Sequence, residues 1–211
     1  MTEAVVLDLP FRGRWLARNS PARRIPSHGA HLFGTTYAID FVAVDERGRS
    51  APGTWRAAFA TEAPEDFIGF GAPILAPIAG VVVATHDGTP DHRGRRSQLA
   101  LVPYLLGQAA RAREGGPALA GNHVVIDAGG ARFVLLAHLQ HGSVRSMIGE
   151  RVAPGDVVGL CGNSGNSTQP HVHVQATDRP PGPDALGVPL AFRRRDGGGA
   201  WMPGESEIVV A

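Results

Sequence analysis

The chain has 211 residues, enough for one domain carrying an elaborated insertion. Hydrophobic residues make up 43% and charged residues 18%, a balance that excludes intrinsic disorder and fits a folded globular protein. The net charge of +1 supplies no global field towards nucleic acid or an anionic membrane, so neither partner is expected.

With 28 Gly and 17 Pro the chain is rich in turn formers, which favours a β-rich fold over a helical bundle. The single cysteine, Cys161, excludes an intramolecular disulfide. Residues 1–27 read as an irregular N-terminal arm with one strand at Val5-Val6-Leu7. The start has no basic n-region and no continuous apolar h-region, so it does not read as a secretory signal, and a soluble, cytoplasmic protein is expected.

Residues 37–45 read as a strand with Ala38, Asp40, Val42 and Val44 on one face. An aspartate in an apolar strand is costly unless it is paired, hydrogen-bonded or metal-bound, so Asp40 needs an explanation. A strand-end carboxylate capping a turn is the plainer one. Residues 67–84 are mostly apolar, but Pro73, Pro77 and several glycines interrupt them. They read as two strands around a turn, with no membrane span.

Residues 86–121 read as an insertion. Its first part is polar, with His86 and His92 expected in solvent, and apolar spacing predicts a helix over 104–113. Two strands follow, 123–127 and 132–139, joined by Ala128-Gly129-Gly130-Ala131 as a hairpin, and then a strand at 157–161 that holds Cys161 as a buried, inert thiol. Residues 179–211 are expected as a C-terminal tail packed on a domain spanning 28–178.

The glycine loop 162–167 leads to Gln169-Pro170-His171-Val172-His173-Val174-Gln175. Residues i and i+2 of a strand share a face, so His171 and His173 aim into one volume. A hydrogen-bonded histidine pair on a half-wet face satisfies the same pattern. A zinc site needs more groups, and the candidates are His31, Asp40 and His138.

Several motifs occur in order: Ala38-Ile39-Asp40-Phe41, Gly121-Asn122-His123-Val124, Ala137-His138-Leu139, and Ser167-Thr168-Gln169-Pro170-His171-Val172-His173. In that order the chain resembles the lysostaphin-type zinc metallopeptidases, peptidoglycan endopeptidases of the duplicated hybrid motif fold. The resemblance covers about residues 28–176. It implies a mainly β fold, with antiparallel sheets forming a sandwich or barrel-like domain, and an exported protein. It also implies zinc held by Asp40 and His173, with His138 and His171 flanking it.

The family's remaining ligand is a histidine usually four residues before the aspartate, where this chain has Thr36. His31 and His28 are the replacements, and His31 is favoured because the shorter loop closes more easily. Gln169 stands where the family usually has Gly, and Gln175 replaces a common Glu behind the ligand strand. The implied reaction uses the metal to acidify water and polarise a peptide carbonyl. One of His138 and His171 takes the proton and the other stabilises the oxyanion, a contribution of roughly 3 kcal/mol.

The expected activity is thus a zinc endopeptidase acting on a peptide or peptidoglycan substrate. The alternatives are a catalytically weakened homologue serving as a binding or regulatory module, and a phosphocarrier of the sugar phosphotransferase type, which resembles the family in fold and pairs two histidines without Asp40.

Overall fold

The computed structural model describes residues 3–53, 60–95 and 119–211. The fold is mainly β, and most strand pairs are antiparallel. In chain order the strands are β1 (Val5–Leu7), β2 (Arg14–Arg18), β3 (Ile39–Ala43), β4 (Pro73–Leu75), β5 (Gly80–His86), β6 (Asn122–Asp127) and β7 (Phe133–Leu139). They continue with β8 (Arg151–Val152), β9 (Val157–Leu160), β10 (Val172–Thr177), β11 (Gly187–Val188), β12 (Leu190–Arg193), β13 (Ala200–Trp201) and β14 (Ile208–Val210). The helix expected over 104–113 lies outside the described residues.

The main sheet runs β14-β2-β3-β10-β7-β6-β5-β8, with β11 also on β10. Strands far apart in sequence therefore lie side by side at its centre, where β10 sits between β3 and β7. The hairpin read between β6 and β7 is present, antiparallel and in register from Asp127↔Phe133 upward. The two strands expected around the 73–84 turn belong to different sheets: β4 pairs with β9, while β5 joins the main sheet. A small third sheet departs from the all-antiparallel expectation, because β1 and β12 run parallel.

One core joins all three sheets. Leu7 and Phe192 come from the small sheet, Ile74 and Val158 from the β4–β9 pair, and Phe41, Leu136 and Val174 from the main sheet. Its aromatic part stacks Phe11 on Trp15 at 4.8 Å between centroids, and sets Phe41 edge-on to Phe11 at 4.9 Å and to Phe192 at 5.3 Å. Burying one such ring stabilises the fold by about 1.5–3 kcal/mol. Strand alternation then puts Asp40, the neighbour of Phe41, on the opposite face of β3. The aromatic core thus fixes the strand that presents the carboxylate.

Candidate metal centre

Asp40 and His173 are direct partners in the β3–β10 register, so their side chains leave the sheet on the same face. The His173 Nδ1 lies 2.8 Å from Asp40 Oδ1. The other carboxylate oxygen, Oδ2, lies 3.1 Å from His28 Nε2 and accepts from Asn19 Nδ2 at 2.7 Å. One donor atom from each of His28, Asp40 and His173 falls within 4.8 Å of the others. Asp40 is only 6% exposed and His173 7%.

Burial alone would raise the Asp40 carboxyl. The charges of His28 and His171, with hydrogen bonds from His173 and His28, outweigh it and hold the carboxyl well below its usual range. Burial likewise works against a charged His173, but Asp40 and then Gln175 prevail and raise its pKa. Without a metal, the two shifts favour an imidazolium facing a carboxylate.

The structure corrects the choice between the two upstream histidines. His28, twelve residues before the aspartate, reaches Asp40. His31 is exposed and its Nδ1 bonds Thr36 Oγ1 at 3.0 Å, so both His31 and the residue four ahead of Asp40 are engaged with each other away from the centre. Loop length does not decide which histidine reaches Asp40, because the intervening chain is folded. Residues 32–37 form a 3-10 segment broken at Phe33 and Gly34, which have φ of 54° and 77°. Ser27 N donates to Thr36 O, closing the loop and leaving His28 on the inside.

The other two histidines flank the cluster. The ring of His138 is 4.7 Å from that of His171 and 5.8 Å from that of His173, and His171 Nε2 is 3.7 Å from Asp40 Oδ1. In each ring Nδ1 donates to a backbone carbonyl, Ser164 O for His138 at 2.9 Å and Gln169 O for His171 at 2.8 Å. That tautomer leaves each Nε2 bare. Burial lowers the pKa of both, and for His138, which also faces the charges of His171 and His173, it lies well below the usual value. Burial thus favours the neutral form of both rings, whose bare Nε2 atoms can accept a proton.

His138 reaches this face through a bulge. The β6–β7 register pairs His123 with Ala137 and Asn122 with Leu139, passing over His138, whose φ is 63°. A bulge with its extra residue in the left-handed region re-aims one side chain, which strict alternation would have sent elsewhere.

A cleft of about 400 Å³ opens beside the cluster, lined by Leu16, Val42 and Val44 together with Arg18, Asp40 and His171. Ser50 Oγ donates to Gln169 Oε1 at 2.9 Å across it. Asn19 and this bridge carried no sequence signal, since neither belongs to a spaced motif. His92 is not the solvated residue expected: its Nε2 bonds Gly165 O at 3.0 Å, and Asn163 Nδ2 donates to its carbonyl at 2.7 Å. Cys161 is buried as expected, and burial pushes its thiol far up.

The residues present fit zinc. Two imidazoles and one carboxylate are a donor set for a zinc ion that keeps a position open, and the rear nitrogen of each imidazole is already held. His28 Nδ1 lies 3.0 Å from Ser27 Oγ, and His173 Nε2 lies 3.0 Å from Gln175 Oε1. Gln175 is thus the partner behind the ligand strand that its position suggested.

No curated protein matches this sequence. Among solved structures, the chain is similar to the catalytic domain of a prophage-encoded M23 protein from Enterococcus faecalis (21% identity, 72% of this chain and 73% of that one, TM-score 0.42). It is also similar to the catalytic domain of lysostaphin from Staphylococcus simulans (14%, 83% and 79%, TM-score 0.37). A third is a zinc-containing peptidase from Vibrio cholerae (18%, 89% and 41%, TM-score 0.40), of which this chain spans less than half. The sequence model of peptidase family M23 matches residues 106–181, the stretch that contributes β6, β7 and β10 with His138, His171 and His173. The match spans less than half of the chain, and that stretch is similar to peptidase family M23.

Proposed function

We propose that the protein is a zinc-dependent endopeptidase that hydrolyses short peptide bonds, with the peptides of bacterial peptidoglycan as its substrate class. The observation that carries this reading is the convergence of His28, Asp40 and His173 next to two flanking histidines. His28, Asp40 and His173 hold the metal, and His138 and His171 are the catalytic residues. The bound ion supplies a Lewis acid and a water acidified towards neutrality.

The chain's own residues do the rest. His138 and His171 present bare Nε2 atoms, so either can take the proton of the attacking water. Once protonated, that ring donates a hydrogen bond to the negative charge developing on the carbonyl oxygen and then passes the proton to the leaving amine nitrogen as the C–N bond breaks. Ser164 and Gln169 carbonyls hold the Nδ1 protons and keep both rings in the required tautomer. The buried sheet face beneath them limits the water that competes for these hydrogen bonds.

A weakened homologue acting as a binding module is the second reading. Its support is the missing histidine four residues before Asp40, together with Gln175 in place of Glu, and the contact of His28 with Asp40 weighs against it. A phosphocarrier has no use for a buried carboxylate against the acceptor histidine. Hydrolysis of cell-wall muropeptides and of oligoglycine by the zinc-loaded protein, with and without chelator, tests the proposal. Cleavage that stops with chelator and returns with zinc is expected. Full zinc occupancy with no cleavage of either substrate rejects the enzyme.

A further inference from the structure

Gln175 is 2% exposed and sits behind His173. Its Nε2 donates to Phe33 O at 2.9 Å, and because a carbonyl only accepts, this bond fixes which end of the amide is which. Oε1 therefore accepts from His173 Nε2–H. The relay runs from His173 through Gln175 to Phe33 O, and it leaves His173 Nδ1 facing Asp40.

A second relay ends on the same turn. Ser27 Oγ donates to Thr35 O at 3.1 Å, so it accepts from His28 Nδ1–H, and His28 Nε2 faces Asp40. Both imidazoles are oriented through one intermediate side chain onto backbone carbonyls two residues apart, Phe33 O and Thr35 O. The turn needs such anchoring. Phe33 holds a left-handed conformation that a phenylalanine rarely adopts, and a side chain at Gly34 would collide with Thr177 Cγ2 of β10.

We infer that the 3-10 segment Leu32–Tyr37 is a shared anchor for both histidine ligands, and that Gln175 and Ser27 are its coupled positioning residues. The inference rests on the metal-centre reading above. It accounts for two departures of this sequence together. A histidine ligand delivered from a long folded loop needs that loop tied to the ligand strand. A glutamine makes the tie, because its amide accepts from His173 and donates to Phe33 O at once, as the Ser27 hydroxyl does between His28 and Thr35 O. A glutamate keeps the acceptor and loses the donor, setting a carboxylate oxygen against a carbonyl oxygen.

The test is a double-mutant cycle on the full chain with Gln175→Glu and Ser27→Ala, read as zinc dissociation constants by chelator competition. Each single variant is expected to weaken zinc binding by about 10- to 100-fold, the usual effect of losing a group that orients a ligand. The double variant is expected to lose less than the product of the two, because a turn already released cannot be released again. Gln175→Glu is informative in sign, since the added negative charge by itself favours a dication. Zinc bound by Gln175→Glu as tightly as by the parent, or strictly multiplicative losses, would overturn the coupling.

Amide exchange of the zinc-free protein separates this from a failure of the metal reading. Faster exchange at Ser27 N–H, which donates to Thr36 O, is expected in Gln175→Glu. Unchanged protection there rejects the anchor whether or not the parent binds zinc.

Discussion

The two sides of the candidate metal centre are built differently. Asp40 and His173 stand on neighbouring central strands, opposite each other in register, with the Phe41 aromatic cluster behind them. His28 comes from a folded loop, is about a fifth exposed, and depends on Ser27 and the 32–37 turn for its orientation. Sheet register places the first pair directly opposite each other. The loop ligand relies on hydrogen bonds that a single substitution removes. Strand-borne ligands should therefore resist changes around them, whereas the loop-borne ligand should not.

The largest expected effect breaks the strand side. Asp40→Ala and His173→Ala are predicted to lose stoichiometric zinc, measured by elemental analysis after dialysis. Retention of zinc by either would remove it from the ligand set. Next comes the support behind that side: Phe41→Ala should cost about 3–5 kcal/mol of unfolding free energy by denaturant titration, since a fully buried aromatic leaves a cavity. A loss below about 1 kcal/mol would mean that the aromatic cluster does not brace β3.

The flanking histidines sharpen the contrast between binding and chemistry. His138→Ala and His171→Ala should keep zinc and lower kcat by about 10²- to 10⁴-fold. Zinc loss in either variant would make that residue a ligand.

A smaller, graded effect follows from protonation. The raised pKa of His173 keeps a proton on the ring to higher pH than an ordinary imidazole, and zinc must displace it. Zinc affinity should fall as pH falls below that raised value, by about tenfold per pH unit for one displaced proton. In the metal-free protein the sign reverses. The same group contributes stability that is present below about pH 6.5, its unfolded value, and is lost as pH rises through the folded one. The depressed Asp40 contributes stability that is present above about pH 3.8 and lost only in stronger acid. A pH-independent zinc affinity between pH 5 and 8 would contradict the imidazolium–carboxylate pair. Least of all, Cys161 should resist alkylation in the folded protein at pH 8, and rapid labelling would show that its strand opens.

The same division explains what could be read in the sequence. Period-2 patterning showed Asp40 and His173 as inward residues of strands, and motif order brought them together although 133 positions separate them. The β6–β7 hairpin was legible from its glycine pair. His28 was not, because loop closure entropy ranks loops by length, and this loop is shaped by a turn with Phe33 in a conformation that composition does not announce. The bulge that turns His138 into the site left no trace either, since it places a non-glycine residue at positive φ. Asn19 against Asp40 and Gln169 against Ser50 are long-range pairs with no periodicity to betray them.

No helix among the described residues is long and apolar enough to cross a membrane. The central claim is that His28 completes the metal centre with Asp40 and His173. Elemental analysis of the purified parent, His28→Ala and His31→Ala tests it directly. One zinc per chain is predicted in the parent and in His31→Ala, and none in His28→Ala. Zinc retained by His28→Ala and lost from His31→Ala would contradict it.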